Sequence, residues 1–286
     1  MKQIKRILRA PRRGHWVGDG FPVRALFADM AFTADISPFL MFDYGGPQDF
    51  TPTQQKRGVG PHPHRGFETV TIAFQGEIEH GDSVGNKGVI GPGDVQWMTA
   101  ASGIVHEEMH SHKFAEQGGA LEMVQLWVNL PAKFKMTAPR YQPIVSTGIP
   151  VHPLENDGGT VRVIAGEFTG TQGAAKTFTP INLWDINIHA GKTIELTVPA
   201  GHNTMLFVRT GKLALNDDTL GAADLAVMEQ AGQRIQLRAI EECNLLLLGG
   251  EPINEPIVAH GPFVMNTDQE IRLAMMDYQS GKMGQM

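Results

Sequence analysis

The sequence predicts an all-β protein of two β-barrels with one short helix near the C-terminus. Short runs rich in β-branched, aromatic and aliphatic residues recur through residues 20–250, and glycine, proline and asparagine separate them. Strands at such regular spacing are typical of a sandwich or a barrel. The pattern of the first half restarts in the second half, which indicates that one barrel follows another along the chain.

The predicted strands fall into two groups on either side of residues 130–144. That segment holds three prolines and shows no alternation, so we interpret it as a linker. The runs before it are VRALF (23–27), FLMFDY (39–44), TVTIAFQG (69–76), DVQWMTA (94–100) and LEMVQLWVNL (121–130). The second group begins with TVRVIAGEF (160–168) and ends with NLLLLG (244–249).

The two groups are related by a weak internal repeat. The run TVTIAFQGEIE is similar to TMLFVRTGKLA at 204–214, and the turn GPGD at 91–94 is similar to GAAD at 221–224. This repeat predicts two domains, residues 1–135 and residues 136–286.

One helix is predicted over residues 267–281. Thr267 and Glu270 have the spacing of a capping box, in which each side chain bonds to the backbone of the other. At helical spacing Ile271, Ala274, Met275 and Tyr278 fall on one face. We therefore expect a helix that docks on a barrel through this face.

Charge and cysteine content restrict the function classes. The chain of 286 residues has a formal net charge of −6, and residues 1–13 contain six basic and no acidic side chains. We expect a basic edge strand there. The remainder holds 18 basic and 30 acidic side chains, a balance of −12 that disfavours direct nucleic-acid binding. No apolar run is long enough to cross a membrane. The single cysteine, Cys243, favours a reducing, cytoplasmic setting.

Two pairs of residues at i, i+2 spacing indicate a metal site. His62 and His64 lie in GPHPHRGFE, where prolines favour an extended chain, and alternate residues of a strand share one face. His106 and Glu108 repeat the spacing in GIVHEEMH. If the two segments are neighbouring antiparallel strands, three imidazoles and a carboxylate converge. Such ligands suit Fe, Ni, Cu, Mn or Zn, and the lack of thiolates disfavours a structural zinc site.

Other polar residues nearby leave alternatives open. Glu68 is four residues beyond His64 and keeps the inward face if the strand continues, so it is a rival ligand or a nearby base. We expect His80, His110 and His112 to be solvated or to support the ligands from behind. His110 is the strongest candidate for such a supporting hydrogen bond.

These residues resemble the cupin superfamily and, within it, the pirin family. The general cupin pattern is matched by His62, His64, Glu68, the turn Pro92-Gly93-Asp94 and His106. The more specific similarity is to pirins, and it covers nearly the whole chain in order. Its runs are HPHRGFETV (62–70), PGDVQWMTA (92–100), SGIVHEEMH (102–110), VQLWVNLP (124–131) and GPFVMNT (261–267).

The resemblance implies a bicupin with two jelly-roll cupin barrels face to face. It also implies one divalent metal ion held by four ligands: His62, His64, His106 and Glu108. Fe(II) is the favoured ion, and Ni, Mn, Cu and Zn are the alternatives. In the second barrel the matching positions fall near Thr197, Pro199 and Gln236, so this barrel is expected to lack a metal and to brace the first.

Several pirins resemble quercetinases, which open flavonols with O₂ and release carbon monoxide. This implies a small aromatic substrate, with Glu108 or Glu68 as the catalytic acceptor of the hydroxyl proton. Candidate walls of a flat slot are Phe39, Phe42, Trp97, Met98 and Trp127. The alternative that the resemblance implies is an iron-dependent, redox-sensing regulator that binds a protein partner, in the nucleus if the source is a eukaryote.

Overall fold

The computed structural model describes residues 1–11, 13–28 and 32–286 of the chain. It contains 26 strands and three α-helices in these residues. In chain order the strands are β1 Ile4–Arg9, β2 His15–Val17, β3 Phe21–Phe27, β4 Phe39–Phe50, β5 Gly58–His64, β6 Phe67–Gln75, β7 Ile78–Asp82, β8 Lys87–Ile90, β9 Val95–Thr99, β10 Ile104–His110, β11 Gly119–Asn129, β12 Arg140–Ile144, β13 Val151–Leu154, β14 Gly159–Ala165, β15 Glu167–Phe168, β16 Thr171–Gln172, β17 Ile181–Ile188, β18 Thr193–Thr197, β19 Asn203–Thr210, β20 Leu213–Leu215, β21 Asp218–Leu220, β22 Asp224–Met228, β23 Arg234–Ala239, β24 Cys243–Gly250, β25 Val258–His260 and β26 Phe263–Met265. The helices are α1 Thr33–Ile36, α2 His112–Gln117 and α3 Asp268–Gln279.

The strands form two compact units, each built mainly from a seven-stranded and a four-stranded antiparallel sheet, and two-stranded sheets are formed by β15-β16 and β25-β26. The histidine unit, residues 12–28, 39–146 and 253–286, has the orders β12-β9-β6-β11-β4-β3-β2 and β5-β10-β7-β8. The second unit, residues 1–11, 29–38 and 147–252, has the orders β1-β22-β19-β24-β17-β14-β13 and β18-β23-β20-β21. The predicted all-β bicupin class with a short C-terminal helix is confirmed.

The two units of the structure differ from the two domains predicted from the sequence, which were divided at residue 135. The segment interpreted as a linker contains β12, which pairs with β9 and extends the sheet of the histidine unit. Pro143 obscured this strand in the sequence, but β12 is an edge strand, where a missing N–H is tolerated. The chain therefore passes from the histidine unit to the second unit between residues 146 and 147. The N-terminal segment 1–11 belongs to the second unit, and the C-terminal segment 253–286 belongs to the histidine unit.

Alternation of side chains accounts for the core of the second unit. In β18 and β23 every second residue is buried, as expected for strands with one face toward a core and one toward solvent. The apolar cluster beneath them includes Ile194, Leu196 and Leu237, and Cys243 is buried in it, as the sequence indicated.

The basic N-terminus forms the predicted edge strand. β1 pairs only with β22 among the described strands and ends its sheet. Arg9 forms an ion pair with Asp224 of β22. Arg12, the next basic residue of the predicted segment, lies outside the described residues.

Helix α3 begins at the predicted cap and docks on the histidine unit. The Thr267 hydroxyl accepts a hydrogen bond from the Glu270 N–H at 3.2 Å. Ile271 and Ala274 are buried, whereas Met275 and Tyr278 are exposed, so the predicted apolar face is only half correct. The buried side chains pack with Val105 of β10. None of the described helices is long and apolar enough to span a membrane.

Candidate metal site

The two histidine-bearing strands are direct neighbours. β5 and β10 pair antiparallel, with His62 opposite His106, and an irregularity follows at Gly60 and Pro61. Because proline has no N–H, the ladder is interrupted there without loss of a hydrogen-bond donor. One ring nitrogen from each of His62, His64 and His106 lies within 4.8 Å of the other two. The predicted convergence of these three side chains is present in the structure.

Each of the three rings has its Nδ1 engaged. His62 Nδ1 lies 2.8 Å from the carbonyl oxygen of Gly60, and His64 Nδ1 lies 3.3 Å from that of Pro262. A carbonyl oxygen only accepts, so both nitrogens carry hydrogen, and in the neutral form of each ring Nε2 presents a lone pair. His106 Nδ1 lies 3.5 Å from His80 Nδ1, and His106 Nε2 is buried without a hydrogen-bond partner.

Burial keeps two of these rings uncharged. It lowers the pKa of His64 to about 3, and the nearby His62 adds to this effect. Burial also lowers the pKa of His106 well below its usual value, with further contributions from the neighbouring histidines. A neutral imidazole is the form that binds metal, so both rings are ready to act as ligands at neutral pH.

Glu108 lines the same cavity as His62 and His64, and its carboxylate is held by neutral donors. Its Oε1 is 2.9 Å from the Thr71 hydroxyl and 3.2 Å from Gln96 Nε2, and its Oε2 is 3.3 Å from Gln125 Nε2. Among the described residues, the close cluster of ligand atoms consists of the three imidazoles alone. The carboxylate thus faces the site with its orientation fixed from behind.

Glu68 lies on the other face of its strand. The chain turns at Gly66, which has φ +92°, so the alternation of β5 does not continue into β6. Thr71 of β6 reaches Glu108, and Glu68, an odd number of residues away, therefore points to the opposite side. Its carboxylate accepts a 2.6 Å hydrogen bond from the Thr99 hydroxyl and lies 3.9 Å from Arg140. The expectation that Glu68 shares the inward face was wrong.

A cavity of about 330 Å³ opens beside the histidine cluster. Most of its walls are apolar, and its lining residues include His62, His64, Glu108, Phe21, Val23, Met41, Met123 and Trp127. Of the five predicted slot residues, Trp127 lines it. The other four are fully buried and are not among the residues that line the cavity: Phe39, Phe42, Trp97 and Met98.

The cavity also contains a carboxylate that the sequence analysis missed. Asp43 of β4 is 6% exposed, and its Oδ1 is buried with no hydrogen-bond partner. Burial raises the pKa of Asp43 to about 6, and the nearby His15 opposes that rise. Asp43 pairs in register with Gln125, which contacts Glu108, and that pairing was not recognisable without the strand order.

Comparisons with known proteins agree with this architecture. The model of the Pirin family matches residues 20–128, and the model of the Pirin C-terminal cupin domain matches residues 183–284. The chain belongs to the pirin family. A mouse protein named "Pirin" is 37% identical to it, over 87% of this chain and 84% of the mouse protein.

Two further proteins are more similar to this chain than the mouse protein is. A Pseudomonas aeruginosa protein named "Putative quercetin 2,3-dioxygenase PA2418" is 52% identical over 99% of this chain and 98% of its own length. A crystal structure of "Quercetin 2,3-dioxygenase from Acinetobacter baumannii" superimposes with a TM-score of 0.96 at 49% identity, covering 99% of both chains.

The donor set of this pirin-family chain fits a divalent transition metal. Three converging imidazoles, among them His106 with a buried Nε2 that has no hydrogen-bond partner, are ligands that such ions bind. An adjacent carboxylate adds a hard oxygen donor. The cluster could therefore hold one metal ion beside the cavity.

The remaining histidines of the region have three different environments. His112 is exposed at the start of α2. His110 donates from Nε2 to the carbonyl oxygen of Gly20 at 2.8 Å and packs against Phe50, so it does not support the cluster as expected. His80 is 1% exposed and contacts His106 instead. The i, i+2 spacing of His80 and Asp82 was the signal in the sequence for this role.

Proposed function

We propose that this protein is a metal-dependent dioxygenase that opens flavonols such as quercetin with O₂, as quercetin 2,3-dioxygenases do. The single observation that carries the proposal is the convergence of three imidazoles beside a largely apolar cavity that two of them line. The names of the two most similar relatives described above support the same activity.

The proposed ligands are His62, His64, His106 and Glu108. The histidines present their Nε2 atoms because Nδ1 is engaged in each ring. We propose Fe(II) as the bound ion, with Ni(II), Mn(II), Cu(II) or Zn(II) as alternatives that suit the same donors. When bound, the ion supplies Lewis acidity and redox chemistry toward the substrate and O₂.

Glu108 is the proposed acceptor of the substrate hydroxyl proton. It is the glutamate of the cavity, and Thr71, Gln96 and Gln125 fix the direction of its two oxygens. A carboxylate held in this way takes a proton without first having to reorient. Glu68 is not proposed for this step because its side chain lies on the opposite face of β6.

The apolar walls select a flat, aromatic substrate. Trp127 packs against Phe67 at a centroid distance of 4.3 Å with the ring planes tilted by 34°, and its ring lies edge to face with His64 at 5.3 Å. A rigid aromatic wall next to the ligand cluster positions a second planar ring system and excludes water from it. The cavity of about 330 Å³ lies in the range of small-molecule sites.

The test is turnover of quercetin by protein loaded with one metal at a time. Metal-free protein is reconstituted with Fe(II), Ni(II), Mn(II), Cu(II) or Zn(II), mixed with quercetin in air, and followed by loss of the flavonol absorption and formation of carbon monoxide. His112→Ala, an exposed histidine outside the cavity, is the matched control for His62→Ala. Absence of turnover with every metal would overturn the proposal.

A redox-linked regulator that binds a protein partner is the second candidate function. Arg65, which follows ligand His64, donates to the carboxylate of Asp277 on α3 at 3.0 Å. The exposed side of α3 carries Leu273 and Met276, which are apolar. Through the contact between Arg65 and Asp277, a change in the oxidation state of the bound metal would be transmitted from the histidine cluster to this apolar surface of α3. Hydrogen exchange in α3 that is identical in the Fe(II) and Fe(III) forms would argue against the candidate.

We also propose a cytoplasmic location. Cys243 is a free, buried thiol, and burial raises its pKa to about 12. Such a thiol is inert and fits a reducing compartment.

A further inference from the structure

Strand β7 brings a second pair of polar residues behind the histidine cluster. It pairs with β10 so that Asp82 lies opposite His106 and His80 lies opposite Glu108. Residues that face each other across antiparallel strands share a side of the sheet. His80 and Asp82 therefore lie on the ligand side, and they are 1% and 6% exposed.

The three side chains form a continuous hydrogen-bonded chain. Asp82 Oδ2 lies 3.3 Å from His80 Nε2, and His80 Nδ1 lies 3.5 Å from His106 Nδ1. At the far end, Asp82 is anchored by three donors: the N–H groups of Val84 and Asn86 at 3.1 and 2.9 Å, and Asn86 Nδ2 at 2.8 Å.

With His80 neutral, the direction of every hydrogen bond in this chain follows from that anchor. Backbone N–H groups can only donate, so the Asp82 carboxylate acts as an acceptor, and His80 Nε2 must be the donor to it. A neutral His80 then has a lone pair on Nδ1, which requires that His106 Nδ1 carries the hydrogen. The Nε2 of His106 is left as a lone pair, and this is the buried atom without a partner.

The ring of His80 is also fixed in plane. It stacks on Tyr141 with a centroid distance of 4.7 Å and an interplanar angle of 12°. This stacking restricts rotation of the His80 ring away from its two hydrogen-bond partners. The chain is therefore held by Asp82 at one end and by Tyr141 along its middle.

We propose that Asp82 and His80 are positioning residues that set the tautomer of His106 and so present its Nε2 to the metal. This rests on the metal site of the proposed function. His62 and His64 obtain the same tautomer from backbone carbonyl groups, which no side-chain substitution removes. His106 depends on a side chain, so its tautomer can be changed by mutation.

The first test uses the metal-free protein and needs no activity. In protein labelled with ¹⁵N-histidine, two-bond ¹H–¹⁵N correlations distinguish the two tautomers of each neutral ring. His106 should carry its hydrogen on Nδ1 and His80 on Nε2, with assignments from single His→Gln variants. A wild-type His106 with its hydrogen on Nε2 would overturn the proposal, whether or not the protein turns over quercetin.

The second test measures Ni(II) affinity by equilibrium dialysis. His80→Phe keeps the stack on Tyr141 but removes the acceptor, and we expect the Kd to rise 10- to 100-fold. His80→Gln restores an acceptor and should recover much of the loss. His110 is a buried histidine of the same sheet that does not belong to the hydrogen-bonded chain. The Kd of His110→Gln should therefore stay within about twofold of the wild-type value. A wild-type Kd in His80→Phe would contradict the proposal. If His80→Phe does not fold, the tautomers of the wild type still decide.

Discussion

Replacing Glu68 by glutamine should change how the stability of the protein depends on pH. Burial raises the pKa of Glu68 from 4.5 to about 7, against the opposing effects of Thr99, Trp97 and Arg140. The folded state therefore binds this proton more tightly than the unfolded state. The wild type is destabilised progressively as the pH rises from about 4.5 to about 7, and Glu68→Gln removes that dependence.

The magnitude follows from the same two values. A difference between 4.5 and about 7, at about 1.4 kcal/mol per pH unit, corresponds to about 3 kcal/mol. Glutamine keeps the oxygen that accepts the 2.6 Å hydrogen bond from Thr99. The free energy of unfolding of Glu68→Gln minus that of the wild type should therefore increase by about 3 kcal/mol between pH 4.5 and pH 8.

Urea unfolding of the metal-free protein at pH 4.5, 6 and 8 measures this difference. Glu116→Gln, an exposed glutamate of α2, is the control and should stay within about 0.5 kcal/mol of wild type at each pH. A Glu68→Gln difference that is flat with pH would refute the reasoning. Ni(II) affinity unchanged in the same variant would support the placement of Glu68 outside the cavity.

Three further predictions concern the turn behind the cluster and the cavity carboxylate. Gly66→Ala places a Cβ against the Val264 carbonyl oxygen at φ +92° and should lower the free energy of urea unfolding by about 2 kcal/mol. Lys135→Met leaves the carbonyl oxygens of Gly66 and Val264 and the Asn129 side-chain oxygen without their donor, so urea unfolding should show a loss of about 2 kcal/mol. Glu108→Gln should retain metal, measured by elemental analysis, and lose quercetin turnover; full turnover would exclude Glu108 as the base.

Alternation along strands made much of the site predictable. The i, i+2 pairs at His62 and His106 required only that two strands be adjacent, and the prolines beside His62 favoured the extended chain. The same rule failed for Glu68, because a single glycine at position 66 with φ +92° ends one strand and begins another. The number of residues between two positions does not reveal such a turn.

Contacts between distant segments were the least predictable part. His80 and Asp82 have the same spacing as the ligand pairs, but their role depends on β7 lying beside β10. Asp43 contributes to the cavity through β4, which the sequence identifies only as apolar. The assignment of β1 to the second unit and α3 to the histidine unit likewise comes from packing over more than 100 residues of chain.

The most direct measurement of the central claim is anomalous diffraction from crystals of the metal-loaded protein. The account predicts one peak per chain, about 2.0–2.2 Å from Nε2 of His62, His64 and His106, and no peak at that position in His62→Ala. A fully occupied ion bound elsewhere, or rings whose Nε2 atoms point away from one another, would contradict it.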